Sequence, residues 1–432
     1  MHMKKIALIL GCLFAATILV VAVLVAVLVP ARYSTAHVPT RTRGFDIQSV
    51  DVMKYSRDTA REKLGDSSFD SVIDEQVKSI AELGATHVAI GTPYDPEFLP
   101  FLKRWVAAAR KYNLSVWFRG NFSGWEGWFE YPRLTRAQHV VLVGKFIRSN
   151  PDLFQDGDIF SPCPECENGG SGDPRKTGDV DAYRQFLTDE FDVSNDAFLD
   201  IGKKVESGYF SMNSDVAHLI MDKGTIARLG GIVSIDHYVK DVSSMNDAIA
   251  YFSGLGAQVV VSEFGAPIPD LNGNMSQDDQ AKFVASLFSV FYRNNQVVRG
   301  VNYWVVQGGS TAILNDNGTK RLAFDTVKEY YKAPLLMGTV VDAAGMPLQG
   351  AQVSLQEAGY SGTTDRWGNY EVFAPFIPDT LVISREGFAS TTMEVQRAAL
   401  SINSTTTLAA LHPTMAYRIQ SFLFGIRERF GW

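Results

Sequence analysis

The feature that most constrains this chain is an alternation of short apolar runs with amphipathic stretches between residues 44 and 331. The strand-like runs fall at 44–48, 87–91, 115–120, 158–161, 206–212, 231–236, 258–262 and 300–305. Helical stretches follow them at 69–83, 96–112, 135–149, 180–201, 214–229, 244–255, 276–294 and 326–331. Apolar residues recurring with a period near 3.6 mark the helices, and near-continuous apolar runs suit strands buried on both faces. Strands that alternate with helices imply a parallel sheet. Eight such units in a stretch of this length imply closure into a barrel. The expected class is α/β, a (β/α)8 TIM barrel over residues 44–334. An open doubly wound sheet is the competing arrangement. No G-x-G-x-x-G follows the first strand, so its nucleotide-binding form is disfavoured.

Other textures flank this region. After Lys4 and Lys5, residues 6–29 are an uncharged apolar run. About 20 apolar residues cross a bilayer as a helix, whereas a secretory signal has an apolar core of about 7–15. Residues 1–43 are therefore expected to be a transmembrane signal anchor and its tether, with cleavage after Ala31 or Ala36 as the alternative. Lysines ahead of the span favour a cytoplasmic N-terminus. The chain would then be single-pass, with everything after the span outside the cytoplasm, at the cell surface. From residue 335 short β-rich runs at 338–341, 351–356, 369–373, 380–385 and 390–395 are separated by turn residues. They predict an all-β sandwich over 335–411. Residues 412–432 read as an amphipathic helix, with Met415, Ile419, Phe422, Leu423, Ile426 and Phe430 on one face and Arg418, Arg427 and Arg429 among the rest. Such a helix packs on a folded domain, lies on a membrane surface or binds a partner.

A net charge of −7 and a pI of 5.6 argue against nucleic acid as a partner, because phosphate binding needs a basic face. Cys163 and Cys166 form one C-x-x-C, which cannot supply the four ligands of a structural zinc site. They could be a disulfide, a redox pair or two packed thiols. No cofactor and no metal is expected.

In a barrel of this kind chemistry sits at the C-terminal ends of the strands. The seventh strand runs into Ser262, Glu263, Phe264 and Gly265, and the fourth into Pro164, Glu165, Cys166, Glu167 and Asn168. These positions face each other across the barrel mouth. Two opposed carboxyl groups suit glycosidic bond cleavage, where one is ionised and the other donates a proton. The strand-seven motif resembles the nucleophile motif of clan A glycoside hydrolases, family 5 in particular. The strand-four motif is similar to that clan's Asn-Glu-Pro acid/base motif, with Pro164 in place of the Asn and Cys166 in place of the Pro. Asp236, His237 and Tyr238 at strand six resemble the element that supports the nucleophile. Asn302, Tyr303 and Trp304 at strand eight resemble the position where a Trp floors the sugar site. The resemblance implies Glu263 as nucleophile, Glu165 as acid/base and Tyr238 as a hydrogen-bond partner of Glu263.

Further candidates come from position alone. Arg119 ends strand three and could steady a carboxylate. Trp125 and Trp128 in the third loop could stack on sugar rings. Asp46, Gln48, Asn213 and Gln307 could bind hydroxyls, whereas His87 and His139 read as structural. The segment beyond residue 335 resembles the carboxypeptidase regulatory-like β-sandwich, in Gly338–Asp342, Pro347 to Leu355, Thr363 to Tyr370 and Arg385 to Phe388. Such modules are accessory, so no catalysis is assigned to it. The leading expectation is a retaining glycosidase acting on a carbohydrate outside the cytoplasm. A non-catalytic glycan-binding or scaffold protein on a degenerate barrel is the alternative. A C-x-x-C redox protein is disfavoured, because the motif does not open a helix in a thioredoxin-like unit.

Overall fold

The computed structural model describes residues 42–430 apart from 376–377, 397–402 and 413. The apolar run at 6–29 lies outside the described residues. Among the described residues no helix is long and apolar enough to cross a membrane. One unit is Arg43–Lys332, and a second is built from the chain after Lys332.

The first unit is a parallel sheet wrapped by helices. Its strands are β1 (Ile47–Asp51), β2 (His87–Ile90), β3 (Ser115–Phe118), β4 (Ile159–Phe160), β5 (Glu206–Ser207), β6 (Met212–Asn213), β7 (Ile232–Asp236), β8 (Gln258–Phe264) and β9 (Val298–Tyr303). They pair in the order β5-β4-β3-β2-β1-β9-β8-β7-β6, all parallel. β5 and β6 are two pieces of the expected fifth strand. The ring therefore closes through an interrupted strand, with eight positions as expected. The interruption contains Gly208 at φ 98° and Ser211 at φ 50°, which turn the backbone out of the extended region. A barrel interior must be filled with side chains. Here Ile47, Ala89, Trp117, Ile159, Tyr209 and Val260 form a buried layer, with Trp117 edge-on to Tyr209 at 5.6 Å.

Most elements fall where the sequence places them. The helix Asp70–Leu83 buries Ile73, Val77, Ile80 and Leu83 and stops at Gly84, whose φ of 86° gives a left-handed cap. The helix Arg136–Ser149 opens with a capping box between Thr135 and Gln138. Three departures matter. β1 begins at Ile47, not at residue 44, where its ladder with β9 starts; Phe45 lies ahead of the strand, edge-on to Tyr292 at 4.9 Å. The expected helix 214–229 is two helices, Ser214–Ile220 and Lys223–Arg228; Asp222 sits between them and accepts from the Thr225 backbone N–H. The last helix starts at Leu322 and ends at Tyr331.

The second unit is the expected sandwich, with strands β10 (Leu335–Asp342), β11 (Gln352–Leu355), β12 (Tyr360–Thr363), β13 (Asn369–Phe373), β14 (Asp379–Ser384), β15 (Thr391–Val395) and β16 (Asn403–Leu408). Two sheets, β13-β10-β16 and β12-β11-β14-β15, make it up. The strict alternation of burial along β14 shows one face turned to the core. β12 and β16 escaped the sequence reading, since Ser, Thr and Gly dominate them. The tail forms a helix, Met415–Phe430. Tyr417 and Ser421 donate to Asp342 Oδ2 at 2.6 and 3.0 Å, and Phe424 is buried against Met346. This helix therefore packs on the sandwich.

Candidate active site

Arg119, directly after β3, is the centre of the barrel mouth. Its side chain is fully buried. Nη1 donates to Asp51 Oδ2 at 2.7 Å, and Nη2 lies 2.9 Å from Glu263 Oε1 and 3.5 Å from Asp236 Oδ2. The three acids come from the C-terminal ends of β1, β8 and β7. The second oxygen of Glu263 accepts from Tyr238 Oη at 2.8 Å, and Asp236 Oδ1 accepts from Ser262 Oγ at 2.6 Å. A charge inside a low-dielectric wall is costly unless it is paired and hydrogen-bonded. One guanidinium shared among three carboxyl groups is how this fold keeps them there.

Glu165 reaches the same point from the β4 loop. Cys163 and Cys166 are joined as a disulfide around it. Glu165 has φ 45°, an uncommon conformation for a residue with a side chain. Its backbone N–H donates to the carbonyls of Phe210 and Ser211, in the interruption between β5 and β6. Two left-handed residues, Glu165 and Ser211, thus hold each other. Asn168 Nδ2 donates to Glu165 Oε1 at 3.0 Å. Single oxygens of Glu165, Asp236 and Glu263 all lie within 4.8 Å of one another.

So many acids around one cation do not all ionise together. Burial pushes the Glu165 carboxyl up to about 8, with the Glu263 charge adding to it and Arg119 opposing. Burial raises Asp51 to about 6 against the pull of Arg119. Asp236 is raised well above the usual carboxylate range by burial and then by Glu263. Tyr238 is likewise raised well above the ordinary phenol by burial and by the Glu263 charge, so its hydroxyl stays a donor. Glu126, at the end of the short helix Ser123–Glu126 after β3, is pushed up to about 7 by burial, while a hydrogen bond from Asn121 opposes the shift. The trio Glu165, Asp236 and Glu263 has the donor atoms for a cation. Both oxygens of Glu263 are already engaged, by Arg119 and by Tyr238, so a metal would have to displace a bonded donor.

Of the residues singled out in the sequence, Glu165, Glu263, Tyr238 and Arg119 converge here. Trp304 stands beside them, edge to face with Tyr238 at 6.0 Å, under the Lys54 ammonium at 5.8 Å. His237 contributes its backbone N–H to the Glu263 carbonyl at 2.9 Å, while its ring turns toward the Ser244 carbonyl. With Asn213, Ser214, Asp215, His218, Asp236 and Tyr238 it lines an open cleft of about 610 Å³.

The other residues singled out in the sequence are tied into the framework around this centre. Glu167 is buried and accepts from the Asn213 backbone N–H at 2.6 Å and from its Nδ2 at 2.9 Å. Asn213 also donates to Asn168 Oδ1 at 3.1 Å, so Glu167 and Asn213 brace the Glu165 loop. Asn302 is fully buried and ties its strand to the Ser262 carbonyl. Trp125 is 1% exposed, stacked on Phe186 at 5.0 Å, with its N–H on the Cys166 carbonyl; its ring belongs to the core. Gln48 is buried against the Tyr331 carbonyl, and Gln307 holds the carbonyls of Asn315 and Asp316. Asp46 lies toward Arg299, away from the mouth. His87 and His139 are buried and hydrogen-bonded, as expected. Sequence alone does not single out Asp51 or Glu126, and it marks Ser262 and Asp236 only as parts of motifs. Asp51 was signalled by its place at a strand end, but the strand had been set three residues early.

Fold and site together define a (β/α)8 barrel with a paired-carboxylate centre at the C-terminal ends of its strands. Residues 336–410 match the carboxypeptidase regulatory-like domain family. No curated protein matches the chain by sequence. Solved structures that resemble it are glycoside hydrolases with TIM barrels. An FMN-binding beta-glucuronidase from Facaelibacterium prausnitzii L2-6 is 10% identical with a TM-score of 0.44, over 81% of this chain and 54% of that one. Beta-glucuronidase 3 of Bacteroides uniformis is 12% identical with a TM-score of 0.40, over 78% and 47%. Xylanase 10B from Thermotoga petrophila RKU-1, solved with xylobiose, is 13% identical with a TM-score of 0.44, over 69% and 99%. The chain spans about half the length of the two glucuronidases.

Proposed function

We propose that the barrel is a retaining glycoside hydrolase that cleaves O-glycosidic bonds of an extracytoplasmic polysaccharide or glycoconjugate by double displacement. The observation that carries this reading is the approach of Glu165 and Glu263 to within 4.8 Å. Retaining enzymes hold their two carboxyl groups about 5–5.5 Å apart, whereas inverting ones leave about 6.5–9.5 Å for a water. Glu263, held by Arg119 and Tyr238, attacks the anomeric carbon as a carboxylate. Glu165, whose raised pKa keeps it protonated near neutrality, gives its proton to the departing oxygen. A glycosyl ester on Glu263 results. Water then attacks the same carbon, Glu165 takes its proton, and Glu263 leaves as a carboxylate. Arg119 and Tyr238 each hold one oxygen of Glu263 and so fix the orientation of the attacking carboxylate.

The apolar run at 6–29 supports placing this activity on a membrane anchor, outside the cytoplasm, with the sandwich as an accessory module. The test is a screen of aryl glycosides and polysaccharides, with the first-formed anomer followed by NMR. The expected result is a product of retained configuration and loss of turnover in Glu263→Gln. An inverted first product, or full turnover by Glu263→Gln, overturns the reading. Saturable glycan binding with no turnover by the unaltered chain would favour the non-catalytic alternative.

A further inference from the structure

The helix Met415–Phe430 carries two apolar faces, and the sandwich uses one. Tyr417, Ser421 and Phe424 face the sandwich, bonded to Asp342 or packed on Met346, with Leu423 at the edge of that contact. Met415, Ile419 and Phe422 are 73%, 52% and 66% exposed. Their i, i+4, i+7 spacing puts them on one side of the helix, turned away from the packed one. Leu411, just before the helix, is 56% exposed as well. In sequence the spacing of the exposed residues continues at Ile426 and Phe430. A helix that only needed to dock on the sandwich would carry polar residues there.

Charge points to the occupant. The helix segment holds Arg418, Arg427 and Arg429 against one acid, Glu428, in a chain whose net charge is −7. Arg418 is exposed beside the stripe. A local excess of arginine next to large apolar side chains complements an anionic bilayer surface, where each Lys or Arg near the headgroups adds attraction. The same chain carries the uncharged run at 6–29, and an anchor in the same chain raises the effective concentration of a weak second contact.

We infer that the exposed face of Met415–Phe430 is an interfacial membrane-docking surface that seats the sandwich on anionic lipid headgroups. Met415, Ile419 and Phe422 enter the headgroup–acyl boundary, and Arg418 meets the phosphates. This inference concerns the tail helix and its sandwich, and it stands or falls independently of the catalytic reading.

The test uses the full chain reconstituted in phosphatidylcholine vesicles with and without phosphatidylglycerol. A spin label is placed by Met415→Cys in a Cys12→Ser background, Cys163 and Cys166 being bonded to each other. The expected result is a label with raised oxygen accessibility and lost accessibility to a water-soluble nickel chelate, in the anionic vesicles only and weakened by salt. Adding Ile419→Asn and Phe422→Asn should abolish that signature. Because neither residue packs on the sandwich, the melting of the unit should not move. A label that stays water-accessible in both vesicle types overturns the inference. So does a label with low accessibility to both oxygen and the chelate in both vesicle types, which would mean that protein, a second copy or another part of the chain, covers the face.

Discussion

At the scale of single residues, Arg119 decides the character of the mouth. It is the buried cation that Asp51, Asp236 and Glu263 share. Removing one partner of a buried ion pair costs about 3–5 kcal/mol, because the other charge is left uncompensated. Arg119→Met should therefore destabilise the barrel by about that amount near neutrality, measured by urea unfolding. The loss should shrink in acid, where the orphaned carboxyls take up protons. An undiminished loss at low pH would mean that packing, not charge, is what Arg119 supplies. Glu165 makes a second prediction. A general acid must hold its proton, and this carboxyl is raised to about 8. The rate should fall as pH rises through about 8. Glu165→Gln should remove that limb and slow the reaction by roughly 10²–10⁴-fold, less for substrates with good leaving groups. A basic limb that survives in Glu165→Gln would assign the proton to another group.

At the scale of elements, the fourth loop and the broken fifth strand form one device. Glu165 is left-handed, bracketed by the disulfide, and bonded to the backbone of Phe210 and Ser211. Glu167, Asn213 and Asn168 tie the same loop to β6. Trp125 lies beneath it. A Cβ on Gly170, whose φ is 64°, would come 2.1 Å from the Trp125 ring. Gly170→Ala should lower both stability and kcat, since neither the ring nor the backbone can yield cheaply. Trp125→Ala separates the core role from sugar stacking. Truncating a buried aromatic of this size costs about 3–5 kcal/mol. The expected outcome is a large drop in thermal stability. A variant that melts normally but binds substrate more weakly would restore the stacking role.

At the scale of the whole molecule, buried acids set the response to pH. Asp51, Glu126 and Glu165 have folded values of about 6, 7 and 8, above those of free side chains. An acid whose folded pKa is raised contributes stability that is complete below its unfolded value and is lost as pH rises through the folded one. The barrel should therefore melt at progressively lower temperature between about pH 5 and pH 9. Glu82 runs the other way. Its hydrogen bonds from Lys320 and Lys328 lower it to about 2, so its contribution is present above about 4.5 and fades only in stronger acid. A melting temperature that is flat or rising over pH 5–9 would contradict the assignment of protons to these buried groups.

What the sequence determined alone is what periodicity and covalent neighbourhood encode. Strand and helix periods are local, so the eight units, the sandwich and the tail helix were legible from the chain. Glu263 was legible because it ends a long apolar strand, and Glu165 because acids crowd an irregular loop beside Gly169 and Gly170. Folding decided what local pattern cannot carry. Pairing with β2 and β9 set the register of β1, and with it the arrival of Asp51 at the mouth. The split of the fifth strand depends on Glu165, distant in sequence, bonding to the Phe210 and Ser211 carbonyls. Trp125 and Trp304 are the same residue type, each placed after a barrel strand. Only packing against Phe186 on one side, and exposure beside Tyr238 on the other, distinguishes a core side chain from one that faces the site. Hydrophobic burial is non-directional, so composition tells that an aromatic will be covered, and tertiary structure alone tells by what.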